Sequence, residues 1–213
     1  MNTIKYILFD AANTLIHKPS LWMNFINVLN YYGYKVSESE LKQKHKLLSE
    51  FITFPDVTSE TFYKTFNKEL LNALGIIDFP ELLKSIFNTC KYLPWEVFED
   101  VTYLNQYSQF NLGILSNFNT SLRTLVKEKI PTINFKHIII SEEEKIAKPS
   151  LEFYEKAVHK IGLKPQDILY VGDSLKLDII PALQIGFNVR LIDRDQTYPS
   201  SKYSVKSLNN ILK

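Results

Sequence analysis

The 213-residue sequence contains a single cysteine, Cys90. An intramolecular disulfide is therefore excluded, and a thiolate metal site would lack its partners. Long apolar runs are also missing, so no segment is expected to span a bilayer. The N-terminus passes directly into Ile4-Lys5-Tyr6-Ile7-Leu8-Phe9 and then a polar cluster. It has neither the apolar length nor the small-residue cleavage site of a secretory signal. Neither sign of charge dominates, with 25 Lys and Arg against 23 Asp and Glu. A net charge of +2 and scattered lysines imply no polyanion-binding surface and no aromatic-interleaved basic stripe. Together these absences set the expectation of a cytoplasmic protein without nucleic-acid or membrane partners, either monomer or homodimer.

What is present reads as an α/β domain. Hydrophobic residues make up 45% and charged residues 23%, the balance of a globular chain. Short apolar runs at Ile4–Phe9, Leu112–Leu115, His137–Ile140, Ile168–Val171 and Phe187–Ile192 predict buried parallel strands. Helical periodicity fills the spaces between them, over 95–107, 121–128, 151–161 and 177–184. Strands alternating with helices predict a doubly wound parallel sheet. The stretch 17–92 breaks that rhythm and is helical throughout. Ser20 is positioned to cap a helix to Tyr31, and Ser37 with Glu40 has capping-box spacing for one to Phe51. Further helices are expected over 59–74 and 80–89. The expected organisation is a core of residues 1–16 and 93–213 with an α-helical cap of residues 17–92 inserted after the first strand. Glu142-Glu143-Glu144 reads as a solvated loop or helix start.

Polar residues cluster where the strands end, which is where such sheets bind ligands. Asp10, directly after strand one, offers a carboxylate that can attack phosphorus or carbon, or else a turn cap. Ser116 ends strand two and is followed by Asn117. A hydroxyl and backbone N–H groups there suit an anion, although an N-cap is the simpler reading. Lys148, followed by Pro149, can neutralise a carboxylate and a transferring phosphoryl group, or sit in solvent. Gly172, Asp173 and Asp178 follow strand four, where two carboxylates can hold a hard cation through oxygen, or cap a helix.

In order, spacing and placement, these residues resemble the haloacid dehalogenase-like (HAD) hydrolase superfamily, in its helical-cap branch. That resemblance implies Asp10 as nucleophile with Thr14 four residues on, and Ser116, Asn117 and Lys148 as phosphoryl-binding groups. It implies Mg²⁺ held by Asp10, the Ala12 carbonyl and Asp173, with Asp178 acting through water or by orienting Lys148. A small phosphorylated metabolite is the implied substrate, hydrolysed through an aspartyl-phosphate.

One departure bears on turnover. Phosphatases of this family carry a second Asp two residues after the nucleophile, and here that position is Ala12. Asn13 replaces the usual glycine and tolerates left-handed backbone angles better than most residues. Loss of general acid/base help is worth about 10²- to 10⁴-fold in rate. Weak or specialised phosphatase activity is therefore expected. The alternatives are a catalytically impaired phosphoryl-binding or regulatory protein, and a dehalogenase- or phosphonatase-like hydrolase. The dehalogenase branch uses a cap arginine, yet no arginine precedes Arg123. The phosphonatase branch uses a cap lysine, and Lys42, Lys44 and Lys46 read better as a solvated helix face. His17 is the one candidate replacement for the proton carrier.

Overall fold

A computed structural model describes residues 4–52, 54–55 and 58–212. The chain forms two compact units, Met1–His17 with Val97–Lys213, and Lys18–Glu96. The strands are β1 (Tyr6–Phe9), β2 (Ile16–His17), β3 (Glu96–Val97), β4 (Asn111–Ser116), β5 (Phe135–Ile140), β6 (Ile168–Gly172), β7 (Asn188–Ile192) and β8 (Ser204–Val205). Six of them form one sheet in the order β5-β4-β1-β6-β7-β8, and every adjacent pair is parallel. The chain steps outward from β1 to β4 and β5, returns to the far side of β1 as β6, and steps outward again. This is the doubly wound order, with its reversal at β1. β2 and β3 pair separately as a two-stranded sheet.

All four residues of β1 are buried, as a strand covered on both faces requires. In register, Phe9 lies beside Ile114 of β4 and Val171 of β6. The carboxyl ends of these three neighbouring strands therefore come together. Tyr6, Leu8, Leu115, Phe153, Tyr154 and Tyr170 belong to the core beneath them. Each such side chain contributes about 1.5–3 kcal/mol of burial free energy, which offsets the cost of dehydrating charged groups nearby.

The second unit holds α1 (Ser20–Tyr31), α2 (Glu38–Phe51), α3 (Glu60–Ala73) and α4 (Pro80–Cys90). Its core gathers Phe25, Leu29, Leu41, Phe66, Leu70 and Leu82. The Ser37 hydroxyl accepts the Glu40 N–H at 3.2 Å, as the capping-box spacing predicts. Ser20 does not cap: it is the first residue inside α1, and the preceding Pro19 has no side-chain cap bond. His45 packs its ring edge against Trp22 and Phe66, so it is a structural histidine. Among the described residues, no helix is long and apolar enough to cross a membrane.

The remaining helices are α5 (Leu122–Lys129), α6 (Ser141–Glu144), α7 (Leu151–Ile161) and α8 (Ile180–Ile185). Two expected helices differ. The 95–107 stretch is β3 followed by a 3₁₀ helix, Glu99–Tyr107. Its buried residues Val101, Leu104 and Tyr107 recur every third position, which suits three residues per turn better than 3.6. The stretch expected as 177–184 begins earlier, with a π-helical turn at Leu175–Ile179 that leads into α8. The acidic run 142–144 is the short α6, and it is not simply solvated. Glu143 pairs with Arg123 at 2.7 Å, Glu144 pairs with Lys160, and Glu142 accepts the Thr120 N–H.

Candidate active site

After β1 the chain makes a tight turn. The Ala11 carbonyl accepts the N–H groups of Thr14, Leu15 and Ile16, and Asn13 N–H donates to the Ile16 carbonyl. Asn13 sits at φ 60°, a left-handed angle that Asn tolerates. The Asp10 N–H donates to Val171 of β6, so the carboxylate leaves the sheet from its central seam.

Asp10 is 5% exposed. Its Oδ1 accepts the Ser116 hydroxyl at 3.0 Å and the Lys148 ammonium at 2.6 Å. Its Oδ2 has a long contact, 3.5 Å, from the Thr14 hydroxyl. The ammonium also donates to Asp178 Oδ1 at 2.7 Å. Lys148 thus bridges two carboxylates in a buried site. Asn117 holds the lysine's backbone from both sides: its Oδ1 accepts the Lys148 N–H at 2.7 Å, and its Nδ2 donates to the Lys148 carbonyl at 2.9 Å. The Lys148–Pro149 peptide is cis. Asn117 therefore ties the end of β4 to the lysine loop, a backbone role distinct from the expected phosphoryl contact.

The π-helical turn explains Asp178. The N–H groups of Asp178 and Ile179 both return to the Ser174 carbonyl, while the Ser174 hydroxyl accepts the Leu177 N–H. The Asp178 carboxylate folds back, and its Oδ2 accepts the Ser174 N–H at 3.0 Å. A side chain on Gly172 would collide with the Asp178 carboxylate. Glycine at that position is thus required by space, not by an unusual backbone angle.

Carboxylate oxygens from Asp10, Asp173 and Asp178 lie within 4.8 Å of one another. These three acids face one buried ammonium, an excess of negative charge suited to a hard divalent cation with oxygen ligands. The donor sets are unequal. Both Asp178 oxygens already serve Lys148, Tyr170 and the Ser174 N–H. Asp178 is thus already committed through both oxygens, and the cluster as a whole fits a metal. Burial pushes the Asp10 carboxyl up to about 6, with Lys148 opposing and Asp178 and Asp173 reinforcing the rise. Burial alone pulls Lys148 down, but Asp10 and Asp178 outweigh it and keep the ammonium charged.

Tyr170 is a site residue that the sequence reading missed. Its hydroxyl lies 3.0 Å from Asp178 Oδ1 and 3.2 Å from the Leu115 carbonyl, and receives the Lys148 ammonium at 3.3 Å. Burial and the nearby Asp178 keep its phenol protonated, well above the ordinary value. The only signal was a hydroxyl-bearing ring two residues before Gly172 in an otherwise apolar strand. Ala12 makes an isolated bridge with Ile16, and its methyl offers no proton carrier. His17 stacks on Phe98, with ring centroids 3.8 Å apart.

The profile described as "haloacid dehalogenase-like hydrolase" matches residues 4–186. Among similar proteins, haloacid dehalogenase-like hydrolase domain-containing protein 3 of Danio rerio is 23% identical, covering 90% of this chain and 86% of its own. A glyceraldehyde 3-phosphate phosphatase of Methanothermobacter thermautotrophicus is 26% identical, over 91% of this chain and 88% of its own. In fold, the HAD-hydrolase YfnB of Bacillus subtilis, solved bound to magnesium, superposes with a TM-score of 0.64 at 18% identity. It covers 97% of this chain and 96% of its own.

Proposed function

The chain belongs to the haloacid dehalogenase-like hydrolases, and from that premise we propose that it is a Mg²⁺-dependent phosphatase of a small phosphorylated metabolite. The observation that carries this reading is the buried cluster in which Lys148 bridges Asp10 and Asp178 beside Ser116. Ser116 and Lys148 hold one Asp10 oxygen, so the other is directed for in-line attack on phosphorus. In that step the bond from Asp10 to phosphorus forms as the ester P–O bond breaks, the departing alkoxide takes its proton from solvent water, and water then cleaves the aspartyl-phosphate to the carboxylate and inorganic phosphate. Lys148 and Ser116 stabilise the phosphoryl oxygens, while Asp178 and Tyr170 fix where the ammonium points. Asp10 and Asp173 would hold Mg²⁺, with the Ala12 carbonyl as a third ligand. The cation when bound neutralises charge on the transferring group. Residues 18–96 would act as the cap that selects the substrate.

Ala12 is the observation that favours a second reading. With no acid at that position to protonate the leaving group, the chain would bind phosphoryl groups, or accept one on Asp10, without efficient turnover. A dehalogenase is disfavoured because residues 18–96 contain no arginine.

The test is a screen of phosphomonoesters, led by glyceraldehyde 3-phosphate, with a phosphonate and haloacids beside them, each with Mg²⁺ and with chelator. Mg²⁺-dependent release of phosphate is expected, and Asp10→Asn should abolish it. Full activity in chelator would remove the proposed mechanism. Ala12→Asp separates the two readings. Restored acid catalysis should speed hydrolysis of esters with poor leaving groups by about 10²-fold, the low end of the range for such help. If Ala12→Asp keeps its melting transition and its Mg²⁺ binding but hydrolyses no ester faster, the missing carboxylate is not what limits the site.

A further inference from the structure

One guanidinium lies behind the turn that carries Asp10. Arg194, just beyond β7, donates from Nη1 to the Asn13 carbonyl at 3.1 Å and from Nη2 to the Thr14 carbonyl at 3.0 Å. Its other face is held by Asp100, at 3.2 Å from Nε and 2.7 Å from Nη2. Asp100 Oδ2 also accepts the Leu208 N–H at 3.0 Å, which fixes the carboxylate in turn. The guanidinium carbon stands 3.7 Å from the centre of the Phe98 ring, and the His17 ring stacks on Phe98 at 3.8 Å. Two flat groups at those distances must use opposite faces of the ring. The result is a His17–Phe98–Arg194 stack, and Phe98 N–H adds a bond to the Leu15 carbonyl at 3.1 Å.

Three of these bonds end on the carbonyls of residues 13–15, and none goes to the reacting groups themselves. Thr14 is fully buried, and its hydroxyl is the contact on Asp10 Oδ2. Fixing the Asn13 and Thr14 carbonyls therefore holds the backbone from which that hydroxyl reaches the nucleophile's outer oxygen. The fork geometry matters, because a guanidinium can bond a carboxylate and two carbonyls in one plane, whereas an ammonium is a point donor.

We propose that Arg194 is a positioning residue for Asp10, acting through the carbonyls of Asn13 and Thr14. As an effect on rate this rests on the phosphatase reading, but its structural half can be measured without any substrate. Full-length parent, Arg194→Met and Arg194→Lys are compared by amide hydrogen exchange. Peptides covering residues 10–17 report on the turn, and peptides from α7 serve as reference. The same proteins are assayed for kcat and KM on the best phosphomonoester of the screen.

Arg194→Met is expected to speed exchange in the turn while α7 stays at the parent rate. It should lower kcat by about 10- to 100-fold, with KM changed by no more than about twofold, since misplacing a reacting group affects chemistry more than binding. Arg194→Lys should fall between Met and parent in both readouts. Unchanged exchange in 10–17 would overturn the proposal, and so would faster exchange with kcat at the parent value. Equal acceleration in α7 would also overturn it, by marking general destabilisation. If Arg194→Met does not fold, Asp100→Asn loosens the same guanidinium and is expected to act in the same direction, and parent behaviour there overturns the proposal. A parent that hydrolyses no phosphomonoester sinks the phosphatase reading alone, because the exchange data still decide whether Arg194 holds the turn.

Discussion

Asp10 is under two opposed demands: a nucleophile must be ionised, and burial works against that. Its carboxyl is raised from the ordinary 3.8 to about 6. An acid whose folded pKa lies above its unfolded one takes up a proton on folding. The stability it adds is present below about pH 4 and is lost as pH rises to about 6. Asn imitates the protonated form. In chelator, Asp10→Asn should therefore match the parent in denaturant melts near pH 4, and exceed it at pH 7.5 by on the order of 2 kcal/mol. A difference that stays constant over that range would mean the carboxyl is not raised. Asp10 and Ser116 were legible in the sequence as polar residues at the ends of apolar runs, and Lys148 and Asp178 by their order and spacing after such runs. Tyr170 and Arg194 were not, since their roles depend on partners brought from elsewhere in the chain. Tyr170 meets Leu115 and Lys148, 55 and 22 residues away, and Arg194 meets Thr14, 180 residues away.

Serines at helix starts show how far local spacing carries at the next scale. Ser37 and Ser59 accept the N–H three residues on, at 3.2 and 3.1 Å. Ser20 makes no such bond. Ser37→Ala and Ser59→Ala should each cost about 1 kcal/mol in a denaturant melt. Ser20→Ala should stay within about 0.5 kcal/mol. A loss at Ser20 as large as at Ser37 would contradict the capping geometry. The five long strands were readable from their apolar runs. The 3₁₀ helix was not, because a repeat of three and one of 3.6 are nearly indistinguishable over nine residues. The π turn depends on Asp178 folding back to the Ser174 N–H and Lys148, contacts that helical periodicity does not encode.

For the whole molecule, a site with three buried acids and one ammonium would couple the proposed metal binding to folding. A ligand that binds only the folded state adds about 2.7 kcal/mol at a hundredfold excess over its Kd. Mg²⁺ is therefore expected to raise the Tm of the parent, and Asp173→Asn should lose most of that rise. An undiminished rise in Asp173→Asn would place the cation elsewhere. The central position of β1 has a further consequence, for synthesis. Tyr6 pairs with Asn111 on one side and Ile168 on the other. At about 5–20 residues per second, β1 emerges roughly 5–20 s before its first neighbour and longer before its second. During that interval four consecutive apolar side chains have no sheet to join. Helices α1–α4 emerge meanwhile and carry a core of their own. The length of the insert therefore sets how long the nascent first strand stays exposed to chaperones or to aggregation, and each residue added to it would lengthen that exposure.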